Sequence, residues 1–200
     1  MKFLNIKYIG SILCIITLFS CSEDFLEESP TAILTNASFY QTEADAISAT
    51  NAIYASIQSG NSGWYGDIFM AMTDITTDDS YTDFTVGNQA WQGWSRLNVT
   101  SQSAFVAAVW NHHYRTIART NAVIENVSES LEIRDRLVAE AKFFRGLAYF
   151  DLVRLFGDVP VITSVVKNLD DAFAIASERK PSVEVYELIE SDLMAAEQVL

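Results

Sequence analysis

The stretch AEAKFFRGLAYFDLVRLFGDVP, residues 139–160, decides how the chain folds. Leu137, Ala141, Phe144, Ala148, Leu152 and Leu155 recur at three- and four-residue steps, with Tyr149, Val153 and Phe156 as a second row beside them. That period predicts a helix over residues 131–156, stopped by Gly157 and Pro160. Glu140, Arg145, Asp151 and Arg154 sit among the apolar residues, and Arg136 with Glu140 makes an i, i+4 pair. We read these charges as structural, bonding neighbouring helix ends.

Upstream, Phe105, Val106, Val109, Trp110, His113, Ile117, Ile124 and Val127 form one broad stripe and predict a helix over residues 102–127. Only residues 128–130 separate the two helices, too short a connection to carry the chain elsewhere, so they form an antiparallel hairpin. Ser182 begins a further helix, with Val185, Leu188, Ile189, Leu193, Ala196 and Val199 inward and Glu184, Glu187 and Glu190 near its positive N-terminal end. Towards the N-terminus, Ser38 and Gln41 fit a capping box. Phe39, Ala46, Ile47, Thr50, Ile53, Tyr54 and Ile57 follow at helical spacing, with Gly60 as C-terminal cap. The expected class is all-α, built from helical hairpins of the tetratricopeptide kind, although no 34-residue self-repeat shows within this length. The last helix reaches Leu200 with an uncovered apolar stripe, so the chain is expected to be the N-terminal part of something larger.

The 200 residues are 50% hydrophobic and 20% charged, with a formal net charge of −13, which excludes a basic nucleic-acid binder. The first 20 residues read as a signal: Lys2 and Lys7, then an apolar run from Tyr8 to Phe19, too short to span a bilayer comfortably. Leu18-Phe19-Ser20-Cys21 is similar to a bacterial lipobox with Cys21 as the lipidated residue; the alternative is a plain secretory signal with an incidental cysteine. Cys14 leaves with the signal, so the mature chain has no disulfide. Residues 21–37, with Ser22, Glu23, Asp24, Glu27 and Glu28, form a tether, and residues 38–200 the folded domain.

Residues 61–101 have a different composition. From Trp64 to Trp110 the chain carries all four tryptophans, with Tyr65, Phe69, Tyr81 and Phe84, against Asn, Gln, Ser, Thr, Gly and Asp. No Lys lies between Lys7 and Lys142, and no Glu between Glu43 and Glu125. A long loop region of this kind is functional or disordered, and its aromatic content argues against disorder. Aromatic faces stack on the C–H face of a sugar while Asp, Asn and Arg bond its hydroxyls, so Tyr81, Asp83, Trp91, Trp94, Arg96 and Asn98 are candidate glycan contacts. The competing reading is packing: Trp110 belongs to the core stripe, and Trp64 with Trp91 or Trp94 could close the end of the hairpin.

Asp74, Asp78, Asp79 and Asp83 lack the order of an EF-hand loop and read better as a solvated acidic face than as a calcium site. His112 and His113 are adjacent, about 100° apart on a helix, and cannot chelate one metal as an i, i+4 pair would. No G-x-S-x-G, phosphate-cradling glycine loop or CxxC is present, and no cofactor or metal is expected.

Residues 139–160 resemble the signature of the SusD/RagB family of Bacteroidetes outer-membrane lipoproteins. Cys21 followed by acids and Phe25-Leu26, the helix from Phe39 to Ile57, the run from Trp110 through Tyr114 to Arg119, Asn121 and Val127, and Ser182 through Tyr186 to Leu193 agree. The resemblance implies a helical scaffold on the cell surface that captures oligosaccharide or polysaccharide and delivers it to a SusC-like TonB-dependent transporter, without catalysis. The alternative is a peptide-binding or protein-interaction module of the same complex. It also implies that the acidic run after Cys21 directs the lipoprotein outward, and that the loops before the Trp110 helix contribute to the ligand site. Family members are typically more than twice this long, and their later part supplies further contacts.

Overall fold

The computed structural model describes residues 39–58, 64, 66–80, 82 and 89–200, all within the unit formed by residues 36–200. Ser38, Gly60 and the tether lie outside the described residues. Among the described residues the helices are, in chain order, α1 (Glu43–Gln58), α2 (Asp67–Thr73), α3 (Gln89–Ser95), α4 (Ala104–Asn126), α5 (Arg134–Phe156), α6 (Leu169–Ala176) and α7 (Ser182–Glu197). The class is all-α, as the sequence pattern requires, and among the described residues the β pairing is one isolated antiparallel bridge, Val159 with Lys180. No described helix is long and apolar enough to cross a membrane.

The α4–α5 hairpin forms the centre. Its partners meet in reverse order, Asn121 with Arg145 and His113 with Asp151, so the two helices run antiparallel. The connection is longer than the three residues expected, because Val127 leaves α4 in an extended conformation. Residues 128–133 then turn through Leu131 N–H to Ser128 O and Arg134 N–H to Leu131 O, while Ser128 N–H bonds Tyr40 O. At this end α1 packs Ala46, Ala49 and Ile53 against Val123, Val127, Leu137, Ala141 and Phe144. Helix α1 begins at Glu43, later than the Ser38 box suggests, because Thr42 accepts from Asp45 N–H at 3.2 Å and donates to the Asp45 carboxylate at 2.6 Å. Farther along, Ile117, Ala148, Tyr149, Leu152 and Val153 join Trp64, Val159, Val185 and Ile189 in a second core.

Helix α7 packs antiparallel on α5, and the pair is fixed by charge. Arg145 donates to both Asp192 oxygens, from Nε at 2.7 Å and Nη2 at 2.8 Å, and from Nη1 to Asn121 Oδ1 at 2.8 Å. Both ions are almost fully buried, Arg145 6% and Asp192 3% exposed. One residue on, Gly146 allows close approach: a Cβ there would stand 3.2 Å from Leu193 Cγ.

Between α5 and α6 the chain is irregular, yet its backbone is satisfied by side chains of the hairpin. Gly157, at φ +69°, ends α5 where a residue with a Cβ would be strained. Tyr149 Oη donates to Ile162 O at 3.1 Å and accepts from Ile162 N–H at 2.6 Å. Burial pushes this hydroxyl up to about 12, so it remains a donor. Asn121 Nδ2 donates to Ile162 O and Ser164 O, and Tyr114 donates to Pro160 O at 2.7 Å. The Asp158 carboxylate then caps α7 by accepting from Ser182 N–H and Oγ, both at 2.9 Å. Helix α6, capped by Asn168, escaped the sequence reading; it leaves Leu169 and Phe173 exposed, so its packing stripe is too thin to register.

Breaking the α5–α7 ion pair from one side leaves a buried uncompensated guanidinium, so Asp192→Ala is expected to cost about 3–5 kcal/mol of stability, measured by urea unfolding. The double change Arg145→Met with Asp192→Leu should cost less than either single removal.

Candidate functional site

The region from Trp64 to Ser103 joins the hairpin at its open end, away from the α4–α5 connection. Trp64 is 1% exposed and donates from Nε1 to Asp151 Oδ2 at 2.6 Å. Asp151 lies buried on α5, its other oxygen paired with Arg154 one turn on. His113 on α4 donates from Nδ1 to Val109 O at 2.7 Å, and Nε2 faces Asp151 Oδ2 at 3.6 Å. The His113 ring packs 4.4 Å from Trp64 and 6.3 Å from Phe69 of α2. Burial raises the Asp151 pKa, but His113 and the hydrogen bonds from Trp64 and Arg154 outweigh it and hold the group below the ordinary aspartate value. The adjacent His112 points elsewhere, and burial, with Arg115 and His113, lowers its pKa.

Two short helices, not a continuous irregular stretch, occupy much of this region. Helix α2 packs on α4 and on α3. Helix α3 ends in a Schellman arrangement: Asn98 N–H bonds Gly93 O at 2.8 Å and Leu97 N–H bonds Trp94 O at 3.0 Å. Leu97 takes the left-handed position at φ +54°, which costs a non-glycine residue about 1–2 kcal/mol. Gly93 suits the turn below it, since a Cβ would stand a tight 3.2 Å from Asn98 O. This folded-back end and the start of α4 form an open cavity of about 300 Å³ lined by Gly93, Trp94, Asn98, Thr100, Gln102 and Ser103.

Of the candidates named from sequence, the structure brings Trp94 and Asn98 together at this cavity. Trp94 is 8% exposed, too buried to present a broad stacking face, and its buried Nε1–H has no hydrogen-bond partner among the described residues. Trp91, half-buried, packs edge-on against Phe105 at 5.0 Å, and Arg96 is exposed at the end of α3. Tyr81 and Asp83 lie outside the described residues. Gly93, Thr100, Gln102 and Ser103 were missed as lining; the polar run of residues 100–103 before the α4 stripe was the available signal. Trp110 packs against Tyr114 at 4.8 Å and Phe156 at 5.0 Å, with Arg179 over its ring. Asp74, Asp78 and Asp79 are exposed, and among the described residues no three His, Cys, Asp or Glu side chains gather as metal ligands.

A family model described as "Starch-binding associating with outer membrane" matches residues 24–200. The chain belongs to the SusD-like family. This SusD-like chain is 33% identical over 202 residues to SusD-like protein P2 of Formosa agariphila, covering 97% of itself and 38% of that relative. It thus spans well under half the length of the curated relative. A SusD superfamily structure from Bacteroides vulgatus superposes with a TM-score of 0.66 at 19% identity, covering 81% of this chain and 35% of the other. A laminarin-binding SusD-like protein superposes at 0.64 with 24% identity, covering 78% and 34%. Both likenesses show the SusD-like fold.

A depressed carboxylate contributes stability above its unfolded pKa of about 3.9 and loses it as pH falls through the lower folded value. Urea melts from pH 6 to pH 3 should therefore show wild type more stable than Asp151→Asn near neutrality. The gap should narrow once the pH drops below about 4.

Proposed function

We propose that this SusD-like chain captures a neutral oligosaccharide or polysaccharide at the outer membrane, and that the cavity between α3 and α4 is part of the binding surface. The observation that carries the reading is that Trp94 and Asn98 line one depression together with Thr100, Gln102 and Ser103, an aromatic among amides and hydroxyls able to bond sugar hydroxyls. The laminarin-binding structure of the same fold and the family description of starch binding support it. The lysine-free, glutamate-free composition around the site suits a neutral ligand. Tyr81, Asp83, Trp91 and Arg96 complete the proposed contact set. The function is binding, not catalysis, and the captured glycan passes to a SusC-like TonB-dependent transporter. A module for peptide or protein contact within that complex is the second reading, favoured by the exposed Leu169 and Phe173 of α6. Residues 1–20 serve as signal, Cys21 as the lipid anchor and residues 21–37 as tether, holding the domain of residues 38–200 outside the cell.

Trp94→Ala would also open a core cavity, so Asn98→Ala, at an exposed position, and Trp94→Phe, which keeps an aromatic ring in the lining, are the informative changes. Retardation in native gels containing laminarin or starch should weaken about tenfold for Asn98→Ala, the loss expected for one or two hydrogen bonds, and less for Trp94→Phe. Retained retardation with lost transporter binding would instead favour the second reading. Separately, Cys21→Ala should abolish incorporation of radiolabelled palmitate and move the protein from the membrane to the soluble fraction.

A further inference from the structure

We propose that Asp151 is a positioning residue for the candidate site, acting through Trp64 to set where the α2–α3 segment stands on the hairpin. The assignment rests on the glycan reading of the cavity, but its own evidence lies in residues outside the cavity lining. Asp151 sits on α5, well removed in sequence from the cavity, and its side chain is 1% exposed. Arg154 holds one oxygen from the same helix, which leaves Oδ2 to face Trp64 Nε1 and His113 Nε2. The bond to Trp64 joins residues 87 positions apart. A charged acceptor makes it shorter and more directional than a neutral contact in the same place.

The histidine completes the socket. With Nδ1 committed to Val109 O, the imidazole cannot turn, and its ring stands against Trp64 and within reach of Phe69. Trp64 is thereby fixed by its N–H and by its face. Two residues later Gly66 caps α2, and Phe69 and Met70 N–H both bond Gly66 O, so the direction of α2 follows from where Trp64 is held. Helix α2 leans on α3, and the folded-back end of α3 is the wall of the cavity. A displaced Trp64 would shift this wall without touching a ligand. If Asp151 merely satisfied a buried indole, its loss would lower global stability and leave the cavity's affinity intact.

The test uses the full chain with Trp64→Phe, Asp151→Asn and, as a stability control remote from the segment, Asp192→Asn. Amide hydrogen exchange read by mass spectrometry should accelerate about tenfold or more over residues 66–80 and 89–103 in the first two variants, as expected for losing one hydrogen bond to a charged group. Exchange in α7 should accelerate no more than the loss of global stability requires. Laminarin or starch affinity should fall about tenfold in the same variants, while Asp192→Asn lowers the urea midpoint with affinity unchanged. Uniform acceleration that follows global stability, or wild-type affinity in Trp64→Phe, would overturn the proposal. If wild type binds neither polysaccharide, the glycan reading fails, and the positioning role is then decided by the exchange pattern alone. Should Asp151→Asn not fold, Trp64→Phe, which keeps an aromatic ring in the socket, decides the matter.

Discussion

Helix α5 is enclosed by α1, α4 and α7, and the need to keep charge inside such a helix shapes the rest of the molecule. A helix with partners on several sides has little solvent-facing stripe on which to place its ions. Arg145 and Asp151 are buried instead, six residues apart and so on different faces, and each is matched by a network that reaches another element. Arg145 organises α7, Asn121 and Thr163 O around itself. Asp151 gathers Trp64, His113 and Arg154. Apolar side chains would supply comparable burial, but without the directional bonds that select one partner at each face.

This arrangement explains what the signature stretch reports. Gly146 permits the α7 crossing, Tyr149 satisfies both backbone groups of Ile162, Gly157 turns the chain, and Asp158 caps α7. The residues that made the family resemblance so specific in sequence are the ones that solve the packing and hydrogen-bonding problem of the scaffold. The cavity at α3 draws none of its lining from them. A strong family match can therefore coexist with a ligand surface that must be read separately.

Legibility followed the same division. The long stripes of α4 and α5 and the start of α7 were readable because many apolar residues repeat a helical period. The structural reading of Arg145 and Asp151 holds, though no period could have identified Asp192, Asn121 or Trp64 as their partners, since those contacts span 24 to 87 residues. Helices α2 and α3 are seven residues each, too short for a stripe to emerge. Trp94 and Asn98 were legible as polar and aromatic company. That they meet at a cavity depends on Leu97 adopting a left-handed conformation, which leucine gives no cause to expect.

The bridge between Val159 and Lys180 closes an excursion of the chain whose first part is pinned by Tyr149 and Asn121 and whose exit is pinned by Asp158 on Ser182. The register of α7 is thus settled on either side of α6, independent of what lies between. Residues 167–178 behave as a grafted appendage on a closed frame. Closing a somewhat longer or shorter loop costs little, so this stretch can drift in length and composition while the frame stays put. That makes it the place where the molecule can change its surface chemistry without solving its folding problem again.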